Sequence, residues 1–353
     1  MMKVPLIYAL HSGNLYGTER MALATAEALA GEFDPVMVAP SGPALELAAA
    51  MGLETRAFSG AAGFFAAVRP LLARSRQIVF VATGVMHSLT AILWNVLQRP
   101  HIAHLHVVHG GTDERLSYGR KRLLNRARVK LVAVSSFVKT RLIANGVAPD
   151  HIRVIENFLP AARTVGFPRR PLFDSDGIRR VIVISRLDPI KRVALLLDAF
   201  ERCPGLTVLP VRIFGSGWDE AALRERARLR HPNITFEGFH PSLDSALAAS
   251  DLLLHLCPAE PFGLAILEAM AAGVPVLVPS SGGAASLVTE GRSGFHFASD
   301  DADSLAARLQ ELTQAPAHLL NAIVAGGDEA LATRFSPAAR IDDYRHLIAA
   351  ELA

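Results

Sequence analysis

Short, almost unbroken aliphatic runs recur along the whole chain, and helix-patterned segments fill the spaces between them. The runs are VPLIYAL (4–10), PVMVAP (35–40), QIVFVAT (77–83), HIAHLHVV (101–108), KLVAVSS (130–136), RRVIVIS (179–185), LTVLPVRIFG (206–215), NITFEGF (233–239), DLLLHLC (251–257) and VPVLVPS (274–280). A strand with one wet face alternates apolar and polar residues, whereas a strand that is apolar throughout is covered on both faces. Helical patterns such as 19–31, 191–202 and 218–230 separate these runs, so the expected class is α/β, with doubly wound parallel sheets. At 353 residues the chain is long for one core, and two domains are expected.

The seam falls near 160–178, in PAARTVGFPRRPLFDSDG (160–177), which is rich in proline and has no long periodic pattern. Charge also changes sign there. Residues 1–170 carry 20 Lys+Arg and 10 Asp+Glu, net +10; subtracting from the totals of 36 and 33 leaves 16 and 23, net −7, for residues 171–353. The expected organisation is an N-terminal domain over 1–165, a linker over 166–178, a C-terminal domain over 179–334 and a final helical segment over 335–353. Hydrophobic residues make up 51% and charged residues 20%, which excludes a disordered chain. No apolar run reaches the roughly 18–20 residues that a membrane-spanning helix needs. The opening MMKVPLIYALHSG contains Pro5 in a short apolar run and reads as a first strand, not a leader. Two cysteines, Cys203 and Cys257, suggest neither a disulfide framework nor a zinc site. The expected setting is cytoplasmic.

Functional loops of parallel sheets follow strands directly. PAEPFGLAILEAMAAGVPVLVPSSGG (258–283) begins with such a loop, and places Glu260 in the loop and Glu268 in the helix behind it. A helix side chain leans toward its N-terminus, so Glu268 reaches back toward the same loop. Between the two carboxylates lie the open amides of a helix start at Phe262, Gly263 and Leu264, which suit a phosphate. A carboxylate at Glu268 suits the hydroxyls of a ribose. The ordinary alternative is that Glu268 is an exposed helix residue and Glu260 a loop residue. Against it, Glu268 interrupts an otherwise apolar helix.

EPFGLAILEAMAAGVPVL resembles the E-x7-E signature of the retaining glycosyltransferases of family 4, which have the GT-B fold. The resemblance implies two Rossmann-like domains facing across a cleft, a nucleoside diphosphate sugar as donor, and no cofactor or essential metal. It implies that Glu268 binds the ribose, that Glu260 lies near the donor sugar, and that the backbone from Phe262 to Leu264 holds the diphosphate. Arg186 and Lys191, in VIVISRLDPIKR (181–192), are similar to the family's Arg-x4-Lys pair, which stabilises the leaving nucleoside diphosphate. The alternative for them is surface pairing with Asp188. Gly215 and Gly217 resemble the G-x-G turn of the donor site. Gly238 and His240 match the segment lining the base. Gly17, at the start of the first helix, would let a phosphate approach, although the family's preceding glycine is here Tyr16. His109 resembles the histidine after an N-domain strand that lies near the donor sugar. The final segment is expected to pack on the N-terminal domain.

Four histidines in HIAHLHVVHG (101–110) have a metal reading and a sheet reading. Strand alternation and the lack of an accompanying acidic or Cys cluster favour the sheet for His104 and His106. DSD (174–176) falls in the expected linker and is discounted as a metal site. The stretch RLSYGRKRLLNRARVK (115–130) carries seven basic and no acidic residues. Aromatics are scarce in it and no binding motif accompanies the charge, so it does not indicate nucleic acid. It is read either as a solvated face or as a patch that meets an anionic membrane surface, with a lipid-linked or glycan acceptor. The rival functions are a GT-B-shaped nucleotide-sugar epimerase, a dinucleotide oxidoreductase, which lacks its G-x-G-x-x-G after the first strand, and a non-catalytic nucleotide-sugar-binding protein.

Overall fold

The computed structural model describes residues 3–98, 101–111, 113–160 and 167–353. It divides into two compact units, Met1–Pro160 with Pro337–Ala353, and Ala161–Ser336. Residues 161–166, where the first domain and the linker were expected to meet, lie outside the described residues.

In the first unit seven strands form one sheet. They are β1 (Val4–Ala9), β2 (Phe33–Pro40), β3 (Glu54–Phe58), β4 (Gln77–Ala82), β5 (His101–Val108), β6 (Lys130–Ala133) and β7 (Ile152–Val154). Their order is β3-β2-β1-β4-β5-β6-β7 and every pairing is parallel. The aliphatic runs become the central strands, where Ile7 lies opposite both Val36 and Phe80, each wholly buried. Helices Gly60–Leu72 and Val85–Gln98 cover one face of the sheet, where Phe64, Val68 and Ala91 join Ile7, Val36 and Phe80 in one core. The last helix, Pro337–Leu352, packs against β5 and against the helix Gly17–Leu29. Ile341, Tyr344 and Ile348 are its buried face. Arg345 pairs with Glu32 at 2.6 Å, and the ring of His101 meets the Glu351 carbonyl at 3.1 Å.

The second unit repeats the plan with six strands: β8 (Val181–Ile184), β9 (Val211–Phe214), β10 (Ile234–Gly238), β11 (Leu252–Leu254), β12 (Val276–Pro279) and β13 (Phe295–Phe297). Their order is β10-β9-β8-β11-β12-β13, again parallel throughout. Both sheets therefore reverse their winding once, at β1/β4 and at β8/β11. Loops leaving the carboxyl ends of those strand pairs diverge and leave a crevice, the usual ligand position in open α/β sheets.

Two expectations need correction. Residues 206–215 do not form one strand: Pro204–Val208 is a 3-10 turn, and only Val211–Phe214 joins the sheet. Pro210 breaks the run, and Pro204 and Gly205 open the turn that takes up its first residues. Nor are the described residues of the supposed linker free. Phe173 sits in the core of the second unit, with the Arg170 guanidinium 3.4 Å above its ring. Arg170 and Arg180 reach Asp251 Oδ1 at 2.9 and 3.0 Å, and the Arg179 amide donates to Asp251 Oδ2 at 3.0 Å. Burial alone would raise the Asp251 carboxyl; these donors hold it below the ordinary range. In DSD, Asp176 accepts the Ala317 amide at the start of helix Ala317–Thr333.

Candidate functional site

At the reversal of the second sheet, β8 runs out into Ser185–Asp188 and β11 into His255–Gly263. Adjacent strands thus deliver Arg186 and Lys191 from one side and Glu260 from the other. Lys191 Nζ donates to Glu260 Oε2 at 2.6 Å, and both side chains are only 16% exposed. Burial would push the lysine down, but the Glu260 carboxylate outweighs it and the ammonium is held above its ordinary pKa. Glu260 is likewise lowered, against its burial, by Lys191 and His255. Arg186 is exposed and pairs with Asp188 at 2.8 Å, so the surface pairing considered for it does occur. Arg192, in the left-handed conformation at φ 57°, pairs instead with Asp300 at 2.8 Å.

The helix Leu264–Ala271 starts from Gly263, whose φ of 106° suits glycine. A Cβ there would lie 2.9 Å from Ile266 Cδ1. The Phe262 side chain is buried against Phe335 with ring centroids 6.2 Å apart, leaving only its backbone for a ligand. Glu268 stands in the second turn of this helix, half-buried while Ile266, Leu267, Ala269 and Met270 are buried.

The glycines shape the loops. A Cβ on Gly215 would fall 1.9 Å from the Ser185 carbonyl oxygen, and one on Gly217 would fall 2.4 Å from that of Leu187. Leu187 and Ser216 are joined by a backbone hydrogen bond of 2.9 Å. Gly215 and Gly217 therefore press directly on the loop carrying Arg186. Gly238, φ 79°, has open space where a Cβ would be, and its carbonyl accepts from the Gly215 amide at 2.8 Å. His240 is exposed, edge-on to Phe214 at 5.4 Å.

Sequence reasoning missed three contributors here. Gly282 and Gly283 follow β12; a Cβ on Gly283 would sit 2.1 Å from the Pro261 carbonyl oxygen, and its amide donates to the Glu260 carbonyl at 2.6 Å. A Gly-Gly pair directly after an apolar strand was the available signal. His255 Nε2 is 3.7 Å from Glu260 Oε2 and has no hydrogen-bond partner among the described residues. Burial holds this imidazole neutral, with a pKa of about 4. A lone histidine inside an apolar strand gave no cue.

The crevice of the first unit is a pocket of about 410 Å³ at the ends of β1, β4 and β5. His109 lines it, as do His11, Thr83, His87 and Lys121. His11 Nδ1 meets Thr83 Oγ1 at 2.8 Å. Burial lowers His109 and His87 to about 4, so both rings are neutral near pH 7. His104 and His106 are sheet histidines, as read: both are buried, and their rings meet the Ser88 hydroxyl at 3.1 and 2.9 Å. Gly17 is the first residue of helix Gly17–Leu29, and Glu19 accepts the Tyr16 amide at 3.1 Å. The basic stretch 115–130 is not one solvated face. Tyr118, Leu124 and Lys121 are buried in its 3-10 turn and flank, while Leu116 and Leu123 are exposed. Among the described residues no three His, Cys, Asp or Glu side chains are grouped to hold a metal ion, and no helix is long and apolar enough to cross a membrane.

The family description "Glycosyl transferases group 1" matches residues 169–327, and "Glycosyltransferase Family 4" matches residues 16–163. A GDP-mannose-dependent alpha-mannosyltransferase of Mycobacterium tuberculosis is 31% identical over 182 residues, covering 49% of this chain and 45% of that protein. The lipopolysaccharide core biosynthesis glycosyltransferase LpsE of Rhizobium meliloti is 28% identical over 202 residues, 57% of this chain and 58% of the relative. The match thus spans about half the length of these curated relatives. Among solved structures, Anabaena Alr3699/HepE in complex with UDP and glucose superimposes with a TM-score of 0.80 at 19% identity, covering 98% of this chain and 99% of that one. That likeness shows a shared fold.

Proposed function

The chain belongs to the group 1, family 4 glycosyltransferases, and from that premise we propose that it moves a sugar from a nucleoside diphosphate sugar to a hydroxyl acceptor with retention at the anomeric carbon. The observation that carries this reading is the meeting of Lys191, Glu260 and the Gly263–Leu264 helix start at the reversal of the second sheet. Such a place suits a diphosphate: two cations, backbone amides and a helix dipole converge on it. Glu268 then takes the ribose, and Gly238 and His240 border the base. Alr3699/HepE, which shares this fold, was solved in complex with UDP, and that supports a nucleotide-bearing donor here.

In the proposed step the bond from the anomeric carbon to the phosphate oxygen breaks, and the electron pair leaves with the nucleoside diphosphate. The acceptor oxygen attacks from the same face, and its proton passes to the departing phosphate. Arg186 and Lys191 stabilise the charge that grows on that phosphate. An ammonium has three N–H donors, so Lys191 can keep Glu260 while binding the phosphate. These cations supply the charge a divalent ion would bring, and the reaction is expected to survive chelation by EDTA. The first unit, with His109, takes the acceptor side. A lipid-linked or glycan acceptor suits the exposed arginines at 115, 122, 126 and 128, which would sit on an anionic membrane surface; the work of LpsE in lipopolysaccharide core assembly agrees with that class.

A thermal-shift screen of nucleoside diphosphates and their sugars, followed by transfer assays with the stabilising donor, tests the reading. Stabilisation by no nucleotide would sink it. Conversion of the donor to its epimer without acceptor would replace it with the epimerase.

A further inference from the structure

Among the described residues each sheet reversal holds a lysine of low exposure, and the two differ in one respect. Lys191 has a carboxylate against it. Lys121, 8% exposed, donates to the Leu116 carbonyl at 2.9 Å, and no carboxylate among the described residues lines its pocket. The nearby acid, Glu19, is buried with its Oε2 on the Tyr16 amide. Buried charges are normally paired or bound to a ligand, and a neutral carbonyl leaves two N–H donors of the ammonium to be used.

The rest of the pocket also favours negative charge. Arg120 stands at the exposed rim. Val85 and Met86, the first residues of the 14-residue helix Val85–Gln98, line the wall, so a helix N-terminus points its dipole there. Burial pulls Lys121 down to about 8, which leaves it charged at neutral pH.

We propose that this pocket is a phosphate seat, which takes a phosphoryl group carried by the acceptor and holds it on Lys121, with Arg120 at the rim and the start of helix Val85–Gln98 on the wall. The word acceptor rests on the glycosyl-transfer reading; the seat itself does not. The volume, about 410 Å³, is in the range of small-molecule sites and accommodates a sugar as well as its phosphate.

The test is calorimetric titration with inorganic phosphate and with glucose 1-phosphate, at saturating nucleoside diphosphate so that the second unit is filled. Wild type, Lys121→Met, Lys121→Arg and Arg120→Met are compared, together with sedimentation on phosphatidylcholine vesicles with and without phosphatidic acid. Lys121→Met is expected to lose about tenfold or more in affinity. Lys121→Arg should keep most of it, Arg120→Met should lose less, and ligand-free Lys121→Met should melt no lower than wild type. Dependence on Lys121 with glucose 1-phosphate assigns a soluble phosphosugar, and dependence with vesicles alone assigns a lipid phosphate. Unchanged affinity of Lys121→Met for every probe, or its melting far below wild type, overturns the seat. Lys121-dependent phosphate binding without any sugar transfer would remove the transferase reading and leave the seat standing.

Discussion

Single side chains carry most of the chemistry proposed here, and each can be tested alone. Glu268→Ala should weaken nucleotide binding by about 1.5–3 kcal/mol, the worth of a hydrogen bond to a charged group. Calorimetry with the preferred nucleoside diphosphate measures it, and an unchanged Kd would take Glu268 out of the site. Lys191→Met leaves Glu260 buried without its cation, so it should cost about 3–5 kcal/mol of stability as well as turnover. Arg186→Ala is the cleaner probe of the leaving group, because Arg186 is exposed and its loss should lower kcat with little change in Tm. Normal turnover in Arg186→Ala would end its assignment. His109→Ala, in the first unit, should impair transfer and leave nucleotide affinity unchanged.

At the scale of elements, what matters is how closely the loops press on one another. Gly283→Ala should displace the Glu260 loop, because its Cβ would meet the Pro261 carbonyl oxygen. Overpacking of this kind costs about 1–3 kcal/mol, so a lowered Tm together with lost nucleotide binding is expected; a variant that binds normally would show that the loop can yield. The central strands were legible in the sequence because their apolar runs are continuous. β3 was not, since Glu54, Arg56 and Thr55 make an edge strand look like a loop. β7 and β13 have three residues each, too short to show a period. Within the site, Glu268 stood out as a charge in an apolar helix, Glu260 by its place in the loop after an apolar strand, and Lys191 by its Arg-x4-Lys spacing. His255, His11 and His87 did not, because a buried neutral imidazole leaves no pattern along the chain, and His109 was picked out only through the family resemblance. Lys121 was hidden among six other basic residues, and only the fold separates it from its exposed neighbours.

For the whole molecule, the buried histidines set a pH limit. His87 and His109 are held near 4 and His104 near 3, in each case by burial, and His106 is also lowered. A depressed histidine favours the folded state while it is neutral. As pH falls below about 6.5 the unfolded chain takes protons first, so stability is lost from there down to the folded pKa. For a histidine near 4 this is about 2 kcal/mol by pH 5. All four rings lie in the first unit, against His255 near 4 in the second, so the first unit should unfold first on acidification. Limited proteolysis at pH 7.5, 6 and 5 would show it, and earlier cleavage within the second unit would contradict it. The return of helix Pro337–Leu352 to the first unit has a further meaning for biosynthesis. A ribosome delivers β1–β7 long before the helix that covers β5, so the first unit waits, its Tyr344-binding face bare, while the second is made and folded. A nascent chain stopped at Ser336 should hold a protease-resistant second unit and a first unit dependent on chaperones.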